Sequence, residues 1–230
     1  MRVAIVSVGD ELLAGETTNT NAAWLGARLA DRGVTTERVI TVPDRVADIA
    51  RVVNEFRAEY DAVLVTGGLG PTHDDLTMDG VAAAFGRDLE ASEEAVTWLD
   101  EHGGYAAADL AEGTADLPTG ARVLHNSAGV APGCVVESVY VLPGVPEEME
   151  AMFETVAEEF SGEPRYVESV VTTEPESSLL DRFDEVQETF GVKLGSYPGE
   201  NVRIRVESTD EADVECAVEW LRERVDLADS

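Results

Sequence analysis

The chain has 230 residues, enough for one sizeable domain and a small one, and 44% of them are hydrophobic, enough to fill a core. Its 47 acidic residues outweigh 16 basic ones, and the formal net charge of -31 argues against nucleic-acid binding, which needs a basic face. No apolar run approaches a membrane span, and Cys134 and Cys216 form neither a metal-binding nor a redox motif. The N-terminus lacks the small-residue cleavage site of a signal peptide and reads as a first strand, so the expected location is the cytoplasm. The acids are spread through the chain, and Lys193 is its single lysine. A domain so acidic repels itself in dilute buffer and is relieved when salt screens it, which reads as adaptation to a high-salt interior. An acidic surface for a basic partner is the alternative.

Val3–Val8 is almost continuously apolar, the pattern of a central parallel strand covered on both faces. It runs into a loop holding Asp10, Glu11, Asn19 and Asn21, and then into a helix to about Arg32, with Gly33 as its stop. Asn19 and Asn21 are read as helix caps and Asp10 as a site residue. Thr35–Val42 is a second strand. Pro43-Asp44 then opens a helix whose stripe of Val46, Ile49, Val52, Val53 and Phe56 belongs in the core. Asp44 is read either as that helix's cap or as a carboxylate facing the crevice at the strand ends.

The most informative stretch is Val63–Asp79. An apolar strand, Ala62 to Val65, ends at Thr66 and breaks into Gly67, Gly68, Gly70 and Pro71. Thr72, His73, Asp74 and Asp75 follow, then a helix from about Thr77 to Phe85. A strand feeding a helix through a glycine-rich loop is where open α/β sheets bind ligands. Bare backbone N–H groups and the helix N-terminus favour phosphate oxygens there. The carboxylates Asp74 and Asp75 would repel a phosphate unless a divalent cation, magnesium or similar, lay between. No lysine or arginine lies between Val63 and Asp79 to share that task. A tight turn with a solvated acidic cap accounts for the same residues without any ligand.

Glu90–Leu117 reads as helical and acidic, with Trp98 and Leu99 as anchors. Arg122–Leu124 is a short strand, followed by a second glycine-bearing loop with Ser127, Gly129 and Gly133. A hairpin of Cys134–Glu137 and Val139–Leu142 delivers a third tight loop, Pro143-Gly144-Val145-Pro146, into a helix ending near Phe160. Three such loops at strand ends suggest one shared crevice. His73, His102 and His125 have no metal-ligand spacing; a general acid or base among them and plain loop histidines both fit. Beyond a Gly/Pro linker the pattern becomes β-α-β-β-α, suiting a small α+β domain over 164–230 behind a larger domain over 1–163. Arg203 and Arg205 share one strand face there, available to an anionic ligand, a partner subunit or nearby carboxylates.

The segments G-D-E-L-L-A-G at 9–15, N-T-N at 19–21, T-G-G-L-G-P-T-H-D-D-L-T at 66–77, S-A-G-V-A-P-G at 127–133 and L-P-G-V-P-E-E-M at 142–149 occur in one order. Together they resemble the CinA-type branch of the MoaB/Mog molybdopterin-binding superfamily over about residues 1–160, and the charge resembles that of proteins from halophiles. The resemblance implies a three-layer α/β/α domain with a mostly parallel sheet, and a homo-oligomer. It implies a ligand phosphate, from a nucleotide or a pterin, on the T-G-G loop at Thr66, Gly67 and Gly68; Gly70, Thr72, Ser127, Gly129, Gly133, Pro143 and Gly144 are the further binding candidates that the strand-end loops supply. It places metal-dependent chemistry on Asp75 and Asp44; the residues themselves add Asp74 as a second carboxylate and Asp10 as a further metal ligand. For the CinA branch it implies hydrolysis of a pyrophosphate bond such as that of ADP-ribose. Molybdopterin adenylylation and non-catalytic nucleotide binding are the alternatives. Longer members carry a C-terminal amidase domain, for which this sequence has no counterpart, and that activity is not carried over.

Overall fold

The computed structural model describes residues 1–103 and 113–228, and the chain divides into two compact units, Met1–Gly162 and Glu163–Ser230. In the first unit, β1 (Arg2–Val8) pairs in parallel with β2 (Thr35–Val42) on one side and β3 (Ala62–Thr66) on the other. The short α1 (Asp10–Leu13) and α2 (Thr20–Asp31) connect β1 to β2, and α3 (Val46–Glu59) connects β2 to β3. Beyond β3 comes α4 (Thr77–Phe85). Then follow β4 (Leu89–Ala91), α5 (Glu93–Trp98), β5 (Asp116–Pro118), β6 (Arg122–Leu124), β7 (Gly133–Val136), β8 (Val139–Leu142) and α6 (Pro146–Val156). The main sheet has the order β2-β1-β3-β8-β7-β6, parallel as far as β8 and antiparallel beyond it.

Successive side chains of a strand point to opposite faces, so a strand apolar at every position must be covered twice. β1 behaves in this way. Its Ala4, Val6 and Val8 enter one core with Ile49, Val52, Val53 and Phe56 of α3 and Val81 of α4. Its Val3 and Ile5 enter the other with Leu25 and Leu29 of α2 and Met149, Met152 and Phe153 of α6. The result is a three-layer α/β/α sandwich whose parallel strands all end on one edge. Each fully buried Leu, Ile or Phe contributes about 1.5–3 kcal/mol relative to exposure, so these stripes hold the strand ends in place.

Two expectations need correction here. The stretch expected as a helix over Glu90–Leu117 is helical only in part. Leu89–Ala91 and Asp116–Pro118 pair as an antiparallel two-stranded ribbon, and residues 104–112 of that expectation lie outside the described residues. Three-residue strands carry too little periodicity to register against an acidic helical pattern. The helix expected from Pro43-Asp44 begins only at Val46, with Arg45 in extended conformation before it, so Asp44 is not its cap.

The second unit comprises β9 (Tyr166–Thr172), α7 (Leu180–Phe190), β10 (Lys193–Pro198), β11 (Val202–Ser208) and α8 (Glu211–Arg222). Its strands form an antiparallel sheet in the order β10-β11-β9. Val186 of α7 and Val214, Ala217, Val218 and Leu221 of α8 pack on Val170, Ile204 and Val206 of the sheet. Asp210 starts α8 by accepting the Ala212 N–H at 2.9 Å. No helix among the described residues is long and apolar enough to cross a membrane.

Candidate functional site

The carboxyl ends of β1 and β3 and the loop after β8 enclose a cavity of about 250 Å³. Gly67 and Gly68 form its floor, Gly144 and Pro146 one side, and Thr17–Asn21 another. Gly67 has φ +97, and a Cβ there would lie 2.3 Å from the Val8 carbonyl oxygen; only glycine lets β3 turn this closely against β1. Gly68, at φ +62, would drive a Cβ to 2.4 Å from Thr77 Oγ1. Its carbonyl accepts the Thr77 N–H at 3.2 Å, which seats the start of α4 beside the turn. Gly144 packs against Gly67, a Cβ on it reaching the Gly67 Cα at 3.2 Å. Asn21 was expected to cap α2, but its Nδ2 instead donates to the Gly144 carbonyl at 2.8 Å, fastening α2 to the third loop. Asn19 is the cap, accepting the Ala22 N–H at 3.1 Å while donating to Ser7 Oγ at 2.9 Å.

Four carboxylates line this cavity, Glu11, Asp44, Asp74 and Asp75, and no lysine or arginine does. Thr72 Oγ1 contacts both Asp74 Oδ1 and Asp75 Oδ2, and the Thr72 N–H also donates to Asp75 Oδ2 at 2.9 Å. A hydroxyl has one proton, so it cannot satisfy two carboxylates at once. The Thr72 hydroxyl, followed by the backbone N–H of Asp74 itself, holds the Asp74 carboxyl below the usual range. Asp44 behaves in the opposite way. Burial raises it, the Asp10 N–H donating to Oδ2 at 2.7 Å opposes the rise, and the Asp10, Glu11 and Asp74 carboxylates add to it. A Cβ at Gly70 would meet Asp75 Oδ2 at 2.6 Å, so a side chain there would push that carboxylate off Thr72.

A second cavity of about 220 Å³ lies along the same loop and shares Gly68 and Asp75 with the first. Gly70 and Thr72 border it. The remaining expected residues are placed differently. Asp10 reaches the site through its backbone N–H, and Glu11 is the neighbour whose side chain lines the cavity. Ser127, Gly129, Gly133 and Pro143 line neither cavity. Gly129 lies against the Glu148 carboxylate, and Asn126 Nδ2 donates to Glu148 Oε2 at 2.7 Å, so the second loop is tied to α6. The Gly67 N–H was expected on a phosphate, yet it donates to the Leu142 carbonyl at 3.2 Å as a continuation of the sheet. The amides of Gly68, Leu69 and Gly70 have no backbone acceptor among the described residues. His73 is 99% exposed at the loop tip, while His125 stacks on Trp98 and faces Glu94 at 3.4 Å.

The donor set suits a hard divalent cation. It is all oxygen, it is electron-rich, and one proton serves two carboxylates at Thr72. No group of three or more His, Cys, Asp or Glu side chains converges closely enough to enclose an ion by itself among the described residues.

The family model described as "Probable molybdopterin binding domain" matches residues 4–162, and that described as "FAD synthase, middle domain" matches residues 164–228. A protein of Archaeoglobus fulgidus is 39% identical over 225 residues, 97% of each chain. A CinA-like protein of Citrifermentans bemidjiense is 45% identical over 170 residues, which are 70% of this chain and 41% of that one. Among solved structures, the protein CinA with unknown function from Thermoplasma acidophilum superimposes with a TM-score of 0.64. It is 36% identical, and the match covers 69% of this chain and 97% of that one.

Proposed function

The chain belongs to the molybdopterin-binding-domain family, in its CinA-like branch, and from that premise we propose that it is a metal-dependent nucleotide pyrophosphatase acting on ADP-ribose or a related dinucleotide. The observation that carries the reading is the cavity at the Gly67-Gly68 turn, lined by four carboxylates and no cationic side chain. A phosphate cannot settle among uncompensated carboxylates, so the ligand and a divalent cation belong there together. The match of the second unit to a middle domain of FAD synthase supports a substrate in which a pyrophosphate joins two groups.

Asp74 and Asp75 are the residues that would hold the cation, with Glu11 also in the lining. When bound, the ion neutralises the bridging phosphates and makes phosphorus more electrophilic. The amides of Gly68, Leu69 and Gly70, which have no backbone acceptor among the described residues, would hold phosphate oxygens. As water adds to one phosphorus, the bond from that phosphorus to the bridging oxygen breaks and the oxygen leaves on the other phosphate, while Asp44 takes the water's proton at Oδ1, the oxygen left open when Oδ2 accepts the Asp10 N–H. Burial makes that carboxylate more basic than an ordinary aspartate, which suits it to the task. Thr72 keeps Asp74 and Asp75 side by side, so the loop is set before ligand arrives.

The test is release of AMP from ADP-ribose by the full chain in concentrated KCl, with and without magnesium, beside Asp75→Asn and with FAD and NAD as competing substrates. The expected result is magnesium-dependent AMP that the substitution removes. A folded protein that releases nothing from any of the three overturns the pyrophosphatase.

A further inference from the structure

Thr77 opens α4 and is wholly buried, yet its Oγ1 has no hydrogen-bond partner among the described residues. A buried hydroxyl left unpaired is costly, and a valine would fill the same space without that cost. The hydroxyl does not serve the helix. Leu76 is the N-cap residue and no side chain caps it, while the turn is seated by the Thr77 backbone N–H on the Gly68 carbonyl. A β-branched side chain brings no gain in helix propensity either.

What lies beside the hydroxyl accounts for it. The point where a Cβ on Gly68 would stand is 2.4 Å from Thr77 Oγ1 and 3.6 Å from Asp44 Oδ1. Two oxygens from different loops thus flank one spot that only a glycine leaves clear. Asp44 engages the Asp10 N–H through Oδ2, so its Oδ1 is the free one of the pair. An oxygen placed slightly nearer Asp44 than that point lies within about 3 Å of both, the length of an O–H···O hydrogen bond. Gly68 lines the carboxylate cavity, and its amide has no backbone acceptor among the described residues, so the spot adjoins the place read above as the phosphate's.

We propose that the attacking water sits on this bare side of Gly68, donating one hydrogen to Asp44 Oδ1 and the other to Thr77 Oγ1, an inference that rests on the pyrophosphatase reading above. With both hydrogens engaged, the lone pairs of the water are left for the phosphorus. Asp44 alone would hold the water by a single bond, about which it pivots. The Thr77 hydroxyl removes that freedom, and orientation of a reactant is a large part of what a site contributes to rate. As the water oxygen bonds to phosphorus, the bond from phosphorus to the bridging oxygen breaks, and that oxygen leaves with the electron pair on the other phosphate. One proton of the water passes to Asp44 and the other stays on the oxygen now bound to phosphorus. Thr77 gains and loses no proton, so it positions the nucleophile and Asp44 remains the base. Gly68 then has a reason to be glycine beyond its backbone angle, because a side chain would take the place of the water.

The experiment compares the full chain with Thr77→Val and Thr77→Ser in concentrated KCl with magnesium. Thr77→Val is expected to lower kcat on ADP-ribose by about 10- to 100-fold with KM little changed, and Thr77→Ser, which keeps the hydroxyl, to retain most of the rate. Two readouts do not depend on turnover. AMP titrated calorimetrically with magnesium should bind Thr77→Val as tightly as the wild type. The ligand-free Thr77→Val should melt at or above the wild type, because an unpaired buried hydroxyl has been removed. A Thr77→Val protein that hydrolyses ADP-ribose at the wild-type rate, or a Thr77→Ser protein as slow as Thr77→Val, overturns the inference and leaves the pyrophosphatase standing. Thr77→Val that melts well below the wild type, or that no longer binds AMP, makes the hydroxyl a structural or phosphate-binding group and overturns it as well. A folded wild type that releases no AMP overturns both readings together.

Discussion

Replacing Gly67 by alanine tests the geometry of the site without touching a titratable group. The added methyl would sit 2.3 Å from the Val8 carbonyl oxygen, about an ångström inside contact, and φ +97 lies beyond the left-handed region that alanine tolerates. Both partners are backbone, so neither can rotate away. Strain of about 1–3 kcal/mol, plus the close contact, makes a loss of at least about 3 kcal/mol the expectation. Gly86 is the matched control. Its φ is +61 and a Cβ there meets nothing within 4 Å. Gly86→Ala should cost only about 1 kcal/mol, because reduced unfolded-chain entropy offsets part of the left-handed penalty. In a thermal melt of the full chain at fixed KCl, about 2–4 °C accompanies each kcal/mol. Gly67→Ala should therefore lower Tm by at least about 6 °C and Gly86→Ala by about 2–4 °C. Equal shifts would refute the close approach of β3 to β1 at the cavity floor.

The carboxylates provide two further predictions. Asp44→Asn keeps an acceptor for the Asp10 N–H but removes a charge that burial and three neighbouring carboxylates disfavour. Because the folded pKa of Asp44 is raised, its favourable contribution is present below the ordinary carboxyl range and is lost as pH rises through the raised value. The ligand-free variant should thus melt at or above the wild type at pH 7 while losing hydrolysis, and a destabilised variant would contradict this. In the second unit Glu174 receives Arg182 and the Asp226 N–H, which hold its carboxyl down at about 2. A depressed pKa gives stability present above about 4.5 and lost as pH falls toward 2, discounted to about 1–2 kcal/mol for solvent screening. Glu174→Gln should flatten that acid-side loss, measured by urea unfolding between pH 5 and 2.5.

The layers were legible because burial on two faces writes itself into sequence. β1 and β3 are apolar at every buried position but Ser7 and Thr66, and the apolar stripes of α3 and α6 each run along one side of their own helix. The glycine turn was legible for a related reason, since Gly67 and Gly68 occupy backbone states other residues avoid. What could not be read was direction within a loop. Asp10 and Glu11 are adjacent, and only the phase of the four-residue α1 decides which side chain enters the cavity. Asp44 looks like a cap in sequence, and its actual partner, the Asp10 N–H, is 34 positions away. The Ser127–Gly133 loop shares glycine content with the site loops but uses it to approach Glu148 and Met152. Glycine content marks a close approach without naming what is approached.

The account's central claim is that the carboxylate cavity accepts a phosphate only in company with a cation. Its most direct test is calorimetric titration of AMP into the full chain, once with magnesium and once with a chelator, beside Asp75→Asn. The account predicts binding with magnesium, none with the chelator, and a marked loss in the variant. AMP that binds equally well with and without magnesium, and equally to Asp75→Asn, would contradict it.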